Sequence, residues 1–241
     1  RQTEGRTVQD CVETALSKVA NHSLKAVCAG RTDTGVHATG QVIHFDTTAD
    51  RPTGNWLRGT NANLPDDVSL QWLVRMDEDF HARFSAMQRH YRYVIYNHHC
   101  RPALLRNHVC WQYAELDADI MAHAGRHLLG EHDFTSFRAV ACQAHSPVRT
   151  IHSLAVRRSD RFITIDVVAN AFLHHMVRCI AGVLIKTGCR EQPPDWVSDV
   201  LQAKDRRVSG INASPAGLYL VNVRYPDHFE VPSETRLPVF G

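Results

Sequence analysis

Between Gly30 and Ala38 the sequence runs Gly-Arg-Thr-Asp-Thr-Gly-Val-His-Ala, so one carboxylate, one guanidinium, two hydroxyls and one imidazole are confined between two glycines and an alanine. An apolar run from Leu24 to Ala29 enters this stretch, and a strand-like run from Gln41 to Phe45 leaves it. Polar loops mounted between rigid strands are where reactive groups are commonly held. Gly30 and Gly35 allow the chain to bend sharply around Asp33 and leave its carboxylate unobstructed. The plainer alternative is a hairpin-like turn in which Asp33 and the threonines cap local N–H groups.

Three chemistries compete for these residues. The gap between Gly30 and Gly35 matches a phosphate-binding loop, but Val36-His37 stands where a Lys-Ser/Thr pair must follow, and without a lysine the terminal phosphates lack their counter-charge. Asp33-Thr34-Gly35 is also the tripeptide of aspartic proteases, which need two carboxylates sharing one proton. The chain holds no second Asp-Thr-Gly or Asp-Ser-Gly. A protease would have to pair two chains, and Arg31 nearby would favour the doubly ionised state. The third chemistry is nucleophilic: an ionised carboxylate that attacks and departs again.

The string Gly-Arg-Thr-Asp-x-Gly-Val-His-Ala-x-x-Gln-Val resembles the active-site loop of the tRNA pseudouridine synthase A family. Later blocks resemble that family in the same order: His90-Tyr91-Arg92-Tyr93, Gly130 to Phe137, Asn170 to Arg178, and Gly217-Leu218-Tyr219-Leu220. The likeness runs from residue 1 to about Pro226. It implies an Asp33 nucleophile, with Arg178 beside it fixing its orientation and lowering its pKa. It further implies Tyr91 stacked on the target uracil, Arg31 inserted where the uridine leaves its stack, and Leu218 at an apolar edge of the substrate. Its other implications are uridine isomerisation in the anticodon stem-loop of tRNA (positions 38–40), a homodimer, and no metal or organic cofactor. A catalytically silent RNA-binding module is the rival from another class.

The composition is compatible with this. The chain has 241 residues, 44% hydrophobic and 22% charged, enough to build cores and too apolar for disorder. A net charge of +2 permits a nucleic-acid partner without demanding one. The seven cysteines, odd in number and without a C-x-x-C, suit reduced thiols in a cytoplasm. No run is long enough to span a membrane, and no charged-then-apolar leader precedes Arg1. His98-His99-Cys100 with Cys110 lacks the ligand spacing of a zinc site and reads as a connection between halves.

The elements that must position the loop follow from periodicity. Thr7 predicts an N-cap for an amphipathic helix running to about Ala20. A short helix is expected between Arg51 and Pro65, and a strand from Val68 to Arg75. Basic and aromatic residues interleave from Phe80 to Tyr96, with Phe80, Phe84 and Tyr93 assigned to the core and Arg83 and Arg89 to phosphate contact. A helix capped by Asp117 or Asp119 ends near Gly130, and Glu131 to Phe137 reads as a loop. Strands at 151–157 and 162–168 precede a helix carrying Arg178, with His174 and His175 as wall residues. Asp195 caps a last helix, and Leu218 to Tyr225 forms a closing strand.

The expected fold is α+β. Two ferredoxin/RRM-like halves, 1–86 and 87–241, join their antiparallel sheets into one extended sheet with a central catalytic cleft. Arg1-Gln2 resembles the tail of a family segment that follows a first strand, so one strand is expected to be missing. Asp33 then comes from the first half and Arg178 from the second.

Overall fold

Thr7 is extended (φ −105°, ψ 150°) and its side chain accepts a hydrogen bond from the Asp10 amide, so the chain turns helical at Val8. A computed structural model describes residues 6–210 and 212–240, and the expectation attached to Arg1-Gln2 lies outside them. In chain order the elements are α1 (Val8–Ala20), β1 (Val27–Cys28), β2 (His37–Ala38), β3 (Ile43–His44) and α2 (Thr53–Asn61). Then come β4 (Gln88–Asn97), β5 (Cys110–Gln112), α3 (Ala118–Gly125), β6 (Gly130–Asp133), β7 (Val148–Ser159) and β8 (Phe162–Ala169). The chain closes with α4 (Met176–Gly188), α5 (Trp196–Ala203), α6 (Arg206–Ser209) and β9 (Leu218–Arg224).

The contacts divide the chain into two units. The smaller comprises residues 1–30, 42–86 and 225–232, and the larger residues 31–41, 87–224 and 233–241. In the smaller unit β1 and β3 form an antiparallel pair, and Val12, Leu16 and Ala20 of α1 pack with Leu24 and Trp56. The segment from Val68 to Arg75, expected as a strand, pairs with none. At Leu70 the backbone is held by a side chain: Asn61 donates Nδ2 to the Leu70 carbonyl (2.9 Å) and accepts the Leu70 amide (2.7 Å). Phe80 is buried, but Phe84 is 75% exposed and stacks on His81 (centroids 4.3 Å), which corrects its assignment to the core.

The larger unit holds a seven-stranded sheet in the order β2-β9-β4-β8-β7-β6, with β5 added to β4. β4 pairs antiparallel with β8 and β9, whereas β2 runs parallel to β9. The described strands thus fall into two hydrogen-bonded sheets, and the molecule is mixed α+β. Strand alternation sends Tyr93 and Ile95 of β4 into the core with no exposure, where Ile163 and Ile165 of β8 meet them. α4 buries Met176, Val177, Ile180, Val183 and Leu184 as its periodicity requires. The 131–137 block is not a loop. Residues 130–133 pair with β7, and Phe134 and Phe137 beneath them are fully buried. Asp133 holds the ensuing turn by accepting the Thr135 amide (2.9 Å) and hydroxyl (2.6 Å).

Candidate active site

In sequence, Asp33 precedes residue 86, yet its loop clusters with the larger unit, which also carries Arg31, Tyr91, Arg178 and Leu218. Two features set the loop's path. Gly35 adopts φ +80°, a left-handed conformation open to glycine, and the Val36 amide closes a turn on the Asp33 carbonyl (3.0 Å). Downstream, β2 lies against β9 with His37 opposite Tyr219, and the amides of Thr39 and Gly40 both reach the Leu220 carbonyl. A Cβ on Gly40 would lie 2.2 Å from the Val221 carbonyl oxygen, so only glycine permits that approach. At the same point Val221 is bulged out of the β4–β9 register, between His90–Asn222 and Tyr91–Leu220. Bulges of this kind re-aim side chains beside functional sites.

The turn presents the Asp33 carboxylate to the start of α4. Arg178 Nη1 donates to Oδ2 at 2.9 Å, with the guanidinium 14% and the carboxylate 22% exposed. Two further nitrogens close in: His175 Nε2 stands 3.2 Å from Oδ2, and His174 Nε2 3.2 Å from Oδ1. The histidines that sequence reasoning assigned to the wall therefore contact the carboxylate itself. Their adjacency gave no such signal, because neighbouring helical residues normally diverge. His175 precedes α4 with φ +66°, and that left-handed twist is what lets both rings face one point.

Behind these groups runs a short segment, residues 212–215, which no sequence argument singled out. Asn212 contacts the His175 ring through Nδ2 (2.9 Å), and Ala213 exchanges backbone bonds with Arg178, accepting its Nε–H (2.9 Å) and donating its amide to the Arg178 carbonyl (3.1 Å). The Ser214 carbonyl accepts the Tyr93 hydroxyl at 2.7 Å. Pro215 lies beneath the loop, 3.3 Å from where a Cβ on Gly35 would stand. Four consecutive residues thus fix the guanidinium, an imidazole, a core tyrosine and the turn. Burial pushes the Tyr93 hydroxyl well above its usual pKa, which keeps it a neutral donor to that carbonyl.

Tyr91 is two residues from Tyr93 and shares its face of β4. It is 8% exposed, and its ring meets Phe172 edge to face at 5.0 Å. Leu218 pairs with Tyr93 across the β4–β9 ladder and is buried. Arg31 is exposed, two residues before Asp33. A direct hydrogen bond joins Asp33 to Arg178. Tyr91 and Leu218 are linked to them through the strands that carry them, and Arg31 through the loop.

Three clusters among the described residues bring potential ligand atoms within 4.8 Å of one another: His98-His99-Cys100, Asp33-His174-His175 and His123-His127-Asp195. In the first, His98 Nδ1 already accepts the Cys100 amide (3.0 Å), and in the third, His127 Nε2 stands 3.2 Å from Asp195 Oδ1. In the second, an ion on Oδ2 would face the Arg178 guanidinium, and we assign it no metal.

A mixed α+β fold that holds a partly exposed carboxylate on a strand-linked loop, oriented by an arginine at a helix start, presents an arrangement suited to an enzyme site. The family model described as tRNA pseudouridine synthase matches residues 1–85 and 124–226. The chain is 53% identical to tRNA pseudouridine synthase A of Alcanivorax borkumensis over 240 residues, covering all of this chain and 90% of that protein. It is 53% identical to tRNA pseudouridine synthase A of Vibrio cholerae (strain O395; all of this chain, 91% of the relative) and 54% identical to that of Legionella pneumophila (strain Lens; 99% and 91%). The chain belongs to the tRNA pseudouridine synthase family, whose reaction is the isomerisation of a uridine in tRNA.

Proposed function

We propose that the chain converts uridine to pseudouridine in the anticodon stem-loop of tRNA, at positions 38–40, with Asp33 as the nucleophile. One observation carries this reading: the Asp33 carboxylate stays partly open while a single guanidinium nitrogen and two imidazoles orient it. The reaction breaks the N1–C1′ bond and rejoins the uracil through C5, with no redox change and no net hydrolysis. Attack at C1′, attack at C6 and abstraction of a sugar proton all require an ionised carboxylate with an oxygen facing the substrate. A carboxylate can accept about four hydrogen bonds, so the contacts made to Asp33 leave a lone pair for the reaction.

The other assignments follow from that role. Tyr91 stacks on the everted uracil and takes part in late proton transfer, with Phe172 bracing its ring. Leu218 supplies the apolar edge, and Arg31, exposed on the same loop, fills the gap that the uridine leaves. Phe84 is open to solvent with the Arg83 guanidinium 5.6 Å from its ring centroid, a pairing suited to an unstacked base. No cofactor enters the scheme. The finer fold reading belongs to this proposal: two ferredoxin/RRM-like halves, 1–86 and 87–241, acting as a homodimer on tRNA. All seven cysteines are free thiols, which supports a cytoplasmic setting. Among the described residues no helix is long and apolar enough to cross a membrane.

The test is direct. Unmodified tRNA transcript is incubated with the protein, and pseudouridine is mapped by carbodiimide-blocked primer extension. Product at positions 38–40 supports the reading. Retention of tRNA without product would favour the silent RNA-binding module, and peptide cleavage with an acidic optimum would favour the paired-chain protease. Asp33→Asn is expected to abolish tritium release from 5-tritiated uridine tRNA while leaving tRNA affinity within about twofold. Release at the unsubstituted rate would remove Asp33 from the chemistry.

A further inference from the structure

His175 is held on both sides by groups whose hydrogen-bonding capacity is fixed. Asn212 Oδ1 receives Arg206 Nη2 at 2.7 Å and Cys179 Sγ at 2.8 Å. A guanidinium can only donate, so the Asn212 atom that faces it must be the carbonyl oxygen. Burial raises the Cys179 thiol to a pKa of about 11, so the thiol is also a donor. The Asn212 amide orientation follows, and its NH2 is the group that faces His175 Nδ1 at 2.9 Å. An amide NH2 cannot accept, so Nδ1 must be the unprotonated, accepting nitrogen. The ring proton then sits on Nε2, which stands 3.2 Å from Asp33 Oδ2.

We propose that Arg206, Asn212 and His175 form a one-directional relay that fixes His175 as the neutral Nε2–H tautomer, with that protonated nitrogen 3.2 Å from Asp33 Oδ2. Asn212 and His175 are thereby positioning residues for the carboxylate. The inference rests on Asp33 being the reacting group, and it adds how its orientation is set. Arg178 restrains Oδ2 through one nitrogen only, which leaves the carboxylate free to swing about that contact. The protonated Nε2 of His175, 3.2 Å from that oxygen, adds an electrostatic restraint from a second direction. A neutral donor has a further merit. It orients the carboxylate without adding a second full positive charge that would weaken it as a nucleophile.

The surrounding charges support the same protonation state. Burial lowers the pKa of His175, Asp33 opposes that, and His174, Arg178 and Arg206 reinforce it. Cationic His175 would also set an Nδ1–H against the Asn212 NH2, donor against donor.

Asn212→Asp separates this proposal from simple packing. It preserves an acceptor for Arg206 and Cys179 and replaces the donor to Nδ1 with a charged oxygen that accepts from it. Long-range 1H–15N spectra of the 15N-histidine-labelled full chain read the tautomer directly. In the unsubstituted protein near neutral pH, His175 is expected to show a protonated Nε2 and an unprotonated Nδ1. In Asn212→Asp both nitrogens should be protonated, kcat on tRNA transcript should fall roughly 10- to 100-fold, and KM should stay within about twofold. The pH–rate profile of that variant should gain a group titrating above the ordinary imidazole pKa of about 6.5. An Nδ1–H tautomer or an imidazolium in the unsubstituted protein would overturn the proposal, whatever the variant does. So would an Asn212→Asp enzyme that keeps kcat within about twofold with an unchanged profile. If Asp33→Asn proved active while the tautomer stood as stated, the nucleophile assignment would fail and the relay would not.

Discussion

Two aspartates in the larger unit are each ringed by histidine and arginine, and the proposed function gives them opposite tasks. Asp166 on β8 takes both nitrogens of one Arg92 fork, Nε to Oδ1 at 2.9 Å and Nη2 to Oδ2 at 2.8 Å. His90 Nε2 adds a third contact to Oδ1 at 2.9 Å, and Arg157 lies 3.6 Å from Oδ2. Asp33 has the same residue types nearby, but one guanidinium nitrogen at hydrogen-bond distance and two imidazoles at 3.2 Å. Partner identity therefore does not separate a structural carboxylate from a reactive one. The number of lone pairs left over does. Asp166 accepts three hydrogen bonds and is 10% exposed, whereas Asp33 accepts one, with two imidazole nitrogens at 3.2 Å, and is 22% exposed. A carboxylate bonded from three directions contributes rigidity, and one with a single firm bond keeps lone pairs for the attack proposed above.

The sharpest test of the contrast exchanges the two sites' roles. Asp33→Asn should cost at least about 1,000-fold in kcat/KM, roughly 4 kcal/mol of transition-state stabilisation, with Tm unchanged within error. Asp166→Asn should do the reverse. It leaves the Arg92 fork and the His90 ring short of their acceptor and should cost on the order of 3 kcal/mol of unfolding free energy. Turnover per folded molecule should stay within about twofold. Chemical denaturation and initial rates on the same preparations would check both. An Asp166 variant as stable as the parent would break the comparison.

The same contrast predicts an acid limb. Burial pushes the Asp166 pKa up, but the hydrogen bonds from His90 and Arg92 and their charges more than offset it, and the net shift is downward. A folded-state pKa below the unfolded one contributes stability that is fully present above the ordinary carboxylate pKa of about 3.9. That contribution is lost as pH falls through the folded value. Asp166→Asn lacks this contribution, so the stability gap between the parent and the variant should narrow on acidification below about pH 4. A gap that stays constant from pH 6 to about pH 3 would place the stabilisation elsewhere.

Arg178 is the next smaller step. Its Nη1 holds Asp33 while its Nε holds the Ala213 carbonyl, two bonds from one rigid plane. Lysine keeps the charge but cannot make both bonds in that geometry. Arg178→Lys should therefore lower kcat by roughly 10- to 100-fold with a small effect on tRNA affinity. Loss of affinity in proportion to kcat would make Arg178 a tRNA contact and not an orienting group.

How much of this was legible beforehand differs between chain-local and chain-distant features. The Thr7 cap, the α1 stripe and the paired strands after residue 148 are written in periods and caps, and they formed where expected. Asp33 and Arg178 could be singled out only because several blocks resembled a known family, since nothing in local spacing brings residues 145 apart together. What stayed hidden was non-local or conformational. Val68 to Arg75 has the composition of a strand but joins no ladder among the described residues, and at Leu70 both backbone groups are taken by Asn61. Phe84 looked like core and is held outside by stacking on His81. His174 and His175 gave no sign of converging, because a positive φ is uncommon outside glycine and no motif marked His175 for one. Asn212 to Pro215 was singled out by no periodicity or motif, although it buttresses the site from behind.

The smallest effect tests whether the loop's backbone, as well as its carboxylate, is built for the reaction. Gly35 sits at φ +80°, and a Cβ there would also meet Pro215 Cγ at 3.3 Å, tighter than ordinary van der Waals contact. Gly35→Ala should cost about 1–2 kcal/mol in loop conformation, small enough for the chain to fold. The strain can be relieved locally by tilting the turn that ends on the Asp33 carbonyl. That tilt would lengthen the contacts of Oδ1 and Oδ2 to α4 more than it disturbs the sheet. Activity should therefore fall roughly 10-fold while Tm drops by only a few degrees. Gly40→Ala is the matched control, because its Cβ would strike the Val221 backbone and push β2 off β9. There stability and activity should fall together. If the two substitutions behaved alike, the turn at Gly35 would be a structural hinge of the same kind as Gly40 and would hold no special relation to the carboxylate two residues before it.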